Sequence, residues 1–269
     1  MNILELLLEQ NLQGVDLQGV DRIALHADTL ARKRLIREVF KEFYDTSIAL
    51  DRNYFGDVAG RRIELGAGTS FFKKRYSSVI STDVQPAPHL DRVIDAQEMD
   101  LEDQSVRTLF CINCFHHFAA PQKFFGEVLR VVKPGGGCVI IDPYFGLLAQ
   151  VLYKRLFRSE SYDPDAPTWS YCVDPVTNEE LPNQALSYVV FFRDRTKFTR
   201  MFPDLEMVYT AILPNYLRYL LSGGLNFRQV IPSFLAPLLR NVELASSQLT
   251  RVLGLHHVVV IRMRSSHSK

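Results

Sequence analysis

The residues best equipped for chemistry begin at Ile63-Glu64-Leu65-Gly66-Ala67-Gly68-Thr69-Ser70, an apolar run that breaks into glycines. Glycine at 66 and 68 lets the backbone turn tightly and come close to a ligand, where a Cβ would obstruct it. A dinucleotide fingerprint would put a third glycine where Phe71 stands, so the pair alone fits a structural turn as well as a binding loop. The acids that follow sharpen the reading. Asp83 ends the run Val79-Ile80-Ser81-Thr82, and a carboxylate at a strand tip can accept both ribose hydroxyls of a nucleoside. Asp95-Ala96 ends the next such run, and the crevice beside it can hold an adenine ring. Any one of these acids suits an ordinary surface; the ordered series is harder to dismiss.

Positioning them requires a sheet. Short apolar runs of strand length, Arg62 to Leu65, Val79 to Thr82, Arg92 to Ile94, Thr108 to Asn113 and Gly137 to Ile141, alternate with helix-like stretches. That alternation predicts a parallel sheet covered on both faces. The clearest helix runs from Pro121 to Val132, with Phe124, Phe125, Val128 and Leu129 on one side and Lys133-Pro134-Gly135-Gly136 as its stop. Leu30, Leu35, Ile36, Val39, Phe40 and Phe43 form a stripe at helical spacing, which predicts an N-terminal helical cap. Residues 158–186 turn to Pro, Asp, Ser and Asn and read as a long surface loop. Beyond it, Leu205 to Leu213 and His256 to Met263 read as strands, separated by an insertion that looks helical.

Composition excludes several classes. At 269 residues with 47% apolar content the chain can bury a substantial core. Its 31 basic and 30 acidic residues balance without a Lys/Arg block, so no nucleic-acid partner is expected. The N-terminal Met1-Asn2-Ile3-Leu4-Glu5 has an acid where a secretory leader carries Lys or Arg, and the densest apolar stretches fall short of the roughly 18 residues that span a bilayer. A cytoplasmic protein is expected. Four cysteines are too few for a disulfide framework. Cys111 and Cys114, three apart in a strand-like run, should face opposite sides. His256-His257 likewise cannot chelate one ion from an undistorted strand and read as structural. No metal site is expected.

Together, Glu64-Leu65-Gly66-Ala67-Gly68, Ser81-Thr82-Asp83, Ile94-Asp95-Ala96, Phe115-His116-His117-Phe118 and Val128 to Gly136, in this order, resemble the class I S-adenosylmethionine-dependent methyltransferases, in the group whose first motif reads Glu/Asp-x-Gly-x-Gly. The resemblance runs from about Arg61 to Pro143. It implies a doubly wound, seven-stranded, mostly parallel α/β sheet of Rossmann-like type whose last strand is antiparallel, with the N-terminal cap over residues 1–57, a cofactor-binding core over 58–150, and a recognition loop, insertion and last two strands over 151–269. It implies S-adenosyl-L-methionine as cofactor. Gly66, Ala67 and Gly68 would pass under its methionine portion, with Glu64 supporting that loop and the ammonium. Asp83 and the adjoining Val84 would hold the ribose, Asp95 and Ala96 would frame the adenine, and Asn113 and Cys114 would lie beside the sulfonium. One stretch departs from the pattern: Met99-Asp100-Leu101-Glu102-Asp103 stands where Leu-Pro-Phe-x-Asp is usual.

Methyl transfer from a sulfonium needs in-line positioning and, for a hydroxyl acceptor, removal of a proton. His116 follows the fourth strand and Asp142 ends the fifth, both at the carboxyl edge where open α/β sheets bind ligands. The expected assignment is His116 as general base and Asp142 as the group that orients it or positions the acceptor. The bland alternative is that His116 and His117 cap the following helix and line the crevice. Aromatics after the core, Tyr144, Phe145, Tyr162, Trp169 and Tyr171, supply candidates for acceptor contacts, as does His117; core anchoring is the rival reading. The acceptor is expected to be a small molecule, a glycan or a lipid-linked molecule, methylated at oxygen. Residues 216–240, apolar with spaced arginines, suit a buried lid or dimer contact first and a membrane-surface element second. A non-catalytic methyltransferase-like partner subunit and a nicotinamide-dependent oxidoreductase remain as alternatives, the latter disfavoured by Phe71 and the paired histidines.

Overall fold

A computed structural model describes residues 7–9, 21–69, 71–155, 160–173 and 180–265. Ser70 of the glycine-rich run and most of the first twenty residues of the expected cap lie outside the described residues. The described strands are β1 (Arg61–Leu65), β2 (Val79–Asp83), β3 (Arg92–Val93), β4 (Val106–Ile112), β5 (Val132–Pro143), β6 (Cys172–Val173), β7 (Glu180–Leu181), β8 (Leu205–Ile212) and β9 (His256–Met263). Seven of them share one sheet in the order β3-β2-β1-β4-β5-β9-β8, and β6 and β7 form a separate ribbon. The pairings from β3 through β5 are parallel; β9 runs antiparallel to both of its neighbours. This is the doubly wound, mostly parallel fold expected from the sequence.

Strand residues alternate between two cores, as period-two geometry requires. Leu109, Cys111, Cys138, Ile140, Val259 and Ile261 face one side. There they meet Phe124, Phe125 and Val128 of the helix Pro121–Val131, whose start is set by proline in its first turn. Phe110, Ile112, Val139, Ile141, Val258 and Val260 face the other side. They meet Val39 and Phe43, both from the stripe read in the sequence, and beyond it Ile48 and Phe55 of the same helix, Arg34–Phe55, while Leu30 of that stripe belongs to a preceding helix, Asp21–Arg32. Each such side chain contributes roughly 1.5–3 kcal/mol by leaving water. The helix Arg34–Phe55 is also held by charge. Asp51, fully buried, accepts from Arg62 Nε at 2.9 Å and from Arg107 Nε at 3.0 Å, so adjacent strands β1 and β4 grip one carboxylate.

Two expectations change. Lys133-Pro134-Gly135-Gly136 does stop the helix, at Val131, but it also forms the bulged start of β5 ahead of the expected Gly137, because the register against β4 jumps between Val106↔Val132 and Thr108↔Gly137 and absorbs the extra residues. Of the expected loop over 158–186, residues 158–159 and 174–179 lie outside the described residues; the described part is a strap, exposed at Asp165, Pro167 and Thr168 but pinned inward elsewhere. Asn183, fully buried, accepts from Asp163 N and donates to Asp163 O, and Ala166 and Trp169 are buried. The polar residues there satisfy one another, so a polar composition folds inward.

Candidate active site

The two glycines of the β1 turn do different work. Both have left-handed backbone, φ 62° at Gly66 and 50° at Gly68. A Cβ on Gly66 would lie 2.6 Å from Cys114 Cβ, so this glycine allows the ends of β1 and β4 to close on one another. A Cβ on Gly68 would meet nothing within 4 Å, because that face is open. It opens into a cavity of about 1040 Å³ at the carboxyl end of the sheet, at the switch point where strand order reverses. Gly68 N donates to Asp83 Oδ2 at 2.8 Å and Gln85 N donates to Oδ1 at 3.0 Å. Asp83 therefore fixes the turn while also lining the cavity; each oxygen retains a lone pair for a ligand donor.

Gly66, Ala67, Gly68, Asp83, Val84, Asp95, Ala96, Asn113 and Cys114 all line this one cavity. Glu64 does not. It is buried beneath the turn, where Ser81 Oγ donates to its Oε2 at 3.4 Å. Asn113 occupies left-handed backbone at φ 52°, a conformation that Asn tolerates better than most residues. Its Oδ1 is buried without a hydrogen-bond partner among the described residues. An orphaned acceptor on a cavity wall is satisfied by a ligand's donor, and costs stability without one. The same bend brings Cys114 beside Cys111, so the thiols meet in the core instead of facing apart.

At the cavity's other end a 3-10 turn, Phe115–His117, carries the paired histidines. His116 Nδ1 lies 2.8 Å from Asp142 Oδ1, and both residues are buried. A carboxylate only accepts, so Nδ1 carries the proton and Nε2 turns away from Asp142. His116 Nε2 lies 3.3 Å from Glu160 Oε2, and His117 Nε2 lies 3.6 Å from Glu160 Oε1. Burial alone would lower the His116 pKa, but Asp142 and then Glu160 outweigh it and push it up to about 10. A ring held protonated is a poor base. The general-base assignment therefore needs Glu160 to share the ring's second proton.

Other expected contacts lie elsewhere. Trp169 is a core residue whose indole N–H donates to Asp194 Oδ2 at 2.8 Å. Tyr144 packs on Phe145, ring centroids 4.6 Å apart, and Tyr162 stacks behind Tyr153 at 5.7 Å. None of the three lines the cavity, because each satisfies its ring in the packing around it. Asp142 stands behind His116 rather than on the wall. His117 and Tyr171 do line it, the Tyr171 hydroxyl donating to His117 O at 2.7 Å.

Several lining groups escape sequence reasoning. Glu160 sits in a segment that reads as loop, and no spacing ties it to His116. Tyr219 and residues 223–226 come from the insertion, which covers the cavity through the helix Tyr216–Ser222. His256 faces the cavity against Tyr219, ring centroids 4.4 Å apart, while His257 faces Phe192 and Ser187 on the other side. Burial holds both neutral, with pKa values pushed down to about 3.

Residues 63–140 match the family described as Methyltransferase domain. An uncharacterized methyltransferase-like protein of Schizosaccharomyces pombe is 37% identical over 89 residues, 28% of this chain and 34% of that protein. The chain thus spans about a third of the length of this curated relative. Among solved structures, geranyl diphosphate C-methyltransferase from Streptomyces coelicolor A3(2) is similar at a TM-score of 0.46 and 12% identity, covering 96% of this chain and 88% of that one. Phosphoethanolamine N-methyltransferase 2 of Haemonchus contortus gives 0.44 and 13%, covering 82% and 53%.

Proposed function

From the methyltransferase domain that residues 63–140 form, we propose that this chain is a class I enzyme that transfers a methyl group from S-adenosylmethionine to an oxygen of a small, glycan or lipid-linked acceptor. The observation that carries the reading is the continuity of one cavity, from the open face of Gly68 and the Asp83 carboxylate to the His116–Glu160 pair.

When bound, the cofactor supplies a methyl already activated on a sulfonium. The chain's residues do the rest. Asp83 and the adjoining Val84 hold the ribose, Asp95 and Ala96 bound the adenine, and the Gly66–Gly68 turn lies along the amino-acid portion with Glu64 beneath it. Asn113 Oδ1 takes a donor that none of the described residues provides. Cys114 closes the wall beside the sulfur. At the acceptor end, Asp142 fixes the His116 ring, and the acceptor's proton passes into the Glu160–His116–Asp142 chain. His117 and Tyr171 flank the acceptor, and residues 216–240 serve as its lid, because Tyr219 and residues 223–226 reach the cavity. Positioning and proton removal account for most of what such a transfer requires.

A second reading of the insertion has its own support. Val230, Phe234, Leu238 and Val242 are exposed, Phe234 at 74%, which suits contact with an apolar tail or a lipid surface. No helix among the described residues is long and apolar enough to cross a membrane. Absence of liposome flotation at low salt would leave the lid role alone.

Calorimetry tests the central reading. S-adenosylmethionine should bind at one site, and Asp83→Ala should weaken it at least tenfold, about the effect of one lost charge-assisted bond pair. Binding of NAD in its place overturns the assignment. Incubation with labelled cofactor and candidate hydroxyl acceptors separates an enzyme from a non-catalytic partner subunit.

A further inference from the structure

We infer that His116, His117 and Glu160 form a binding site for a divalent transition-metal ion, contrary to the metal-free expectation from sequence. Among the described residues these three are the one group whose metal-ligating atoms converge, all within 4.8 Å of one another.

Three observations carry it. First, the separations of the two rings from the Glu160 carboxylate are those of ligands around an ion. With metal–nitrogen and metal–oxygen bonds of about 2.0–2.2 Å, neighbouring ligand atoms stand about 3.0 Å apart in an octahedron and about 3.4 Å apart in a tetrahedron. The His116 and His117 Nε2 atoms lie 3.3 and 3.6 Å from the two Glu160 oxygens. Second, the 3-10 turn Phe115–His117 swings consecutive histidines to the same side, their ring centroids 4.3 Å apart. An extended strand would point them apart. Third, Asp142 accepts from His116 Nδ1 at 2.8 Å, the outer carboxylate that typically orients a metal-bound imidazole and leaves Nε2 as donor to the ion.

Two imidazoles and one carboxylate suit zinc or another first-row divalent ion and leave coordination positions open. All three residues line the cavity, so an open position faces the space assigned to the acceptor. The consequence that an acceptor oxygen binds there rests on the methyl-transfer reading; ion binding itself does not. With an ion seated, His116 Nε2 is a ligand, and the ion takes the place of the proton shared with Glu160.

The test is titration of chelator-treated protein with Zn2+ by calorimetry and with Co2+ by visible absorption, with cofactor binding measured on the same samples. We expect one Zn2+ per chain with micromolar or tighter affinity, Co2+ bands without thiolate charge transfer, and at least a tenfold loss in both His117→Ala and Glu160→Gln. Circular dichroism checks that each variant is folded; His117 is partly exposed, so its truncation should leave the fold intact. Absence of Zn2+ binding, or binding unchanged in both folded variants, overturns the proposal while leaving cofactor binding intact. Loss of cofactor binding with ion binding retained sinks the methyl-donor reading instead.

Discussion

Asp142, at the tip of β5, accepts a hydrogen bond across 2.8 Å from His116, which follows β4, so the ends of two adjacent strands are joined behind the cavity. In metal-free protein this raised pKa, about 10, makes a signed prediction. The interaction stabilises the fold fully below the ordinary histidine pKa near 6.5, and the contribution disappears as pH rises through about 10. Nitrogen-15 spectra should show His116 doubly protonated at neutral pH. In Asp142→Asn its pKa should fall by about 1 to 3 pH units, the usual effect of removing one close opposite charge. A His116 that titrates near 6.5 in the parent protein contradicts the assignment.

The glycines should separate fold from ligand binding. Gly68→Ala pays only for left-handed backbone, about 1–2 kcal/mol, yet its methyl enters the open face. Cofactor affinity should drop at least tenfold with a modest loss of stability. Gly66→Ala must also displace Cys114, 2.6 Å from the new Cβ, and should cost about 3 kcal/mol or more. Urea denaturation and calorimetry on both variants read the two effects; the opposite ranking in stability would refute this division of labour.

Arg218 anchors the insertion. Its guanidinium donates to Glu243 Oε2 at 2.6 Å and reaches both oxygens of Glu42, at 2.7 and 2.8 Å. Arg218→Ala strands a fully buried Glu243 carboxylate and should cost about 3–5 kcal/mol. Arg218→Lys should recover little, since lysine lacks the planar fork. Thermal denaturation measures both, and a loss below about 1 kcal/mol in the alanine variant would mean the network is not needed.

Acid should unfold the protein through its last strand. His256 and His257 are buried neutral, with folded pKa values near 3 against about 6.5 in the unfolded chain. Their stabilising contribution is complete above pH 6.5 and is lost as pH falls towards 3, by about tenfold in the folding equilibrium per pH unit for each ring. His257→Asn should flatten that slope by about half this histidine-linked part. Urea midpoints between pH 7 and 5 provide the check.

What the sequence determined by itself is whatever local pattern can encode. Strand and helix spacing placed the sheet and the Leu35-to-Phe43 stripe, and turn chemistry marked Gly66, Gly68 and the tip residue Asp83, because each depends on neighbours a few positions away. The pairing of His116 with Asp142 was also legible, since adjacent parallel strands end at the same edge. Tertiary structure decided the rest. Glu160 meets His116 only because a polar strap folds inward on its own hydrogen bonds, and Trp169, Tyr144 and Tyr162 leave the cavity because packing partners elsewhere claim their rings. His256 gains the cavity, and Cys114 turns to Cys111, through strand pairing and one left-handed residue. Contacts between distant segments depend on how whole layers pack, which no short window of residues contains.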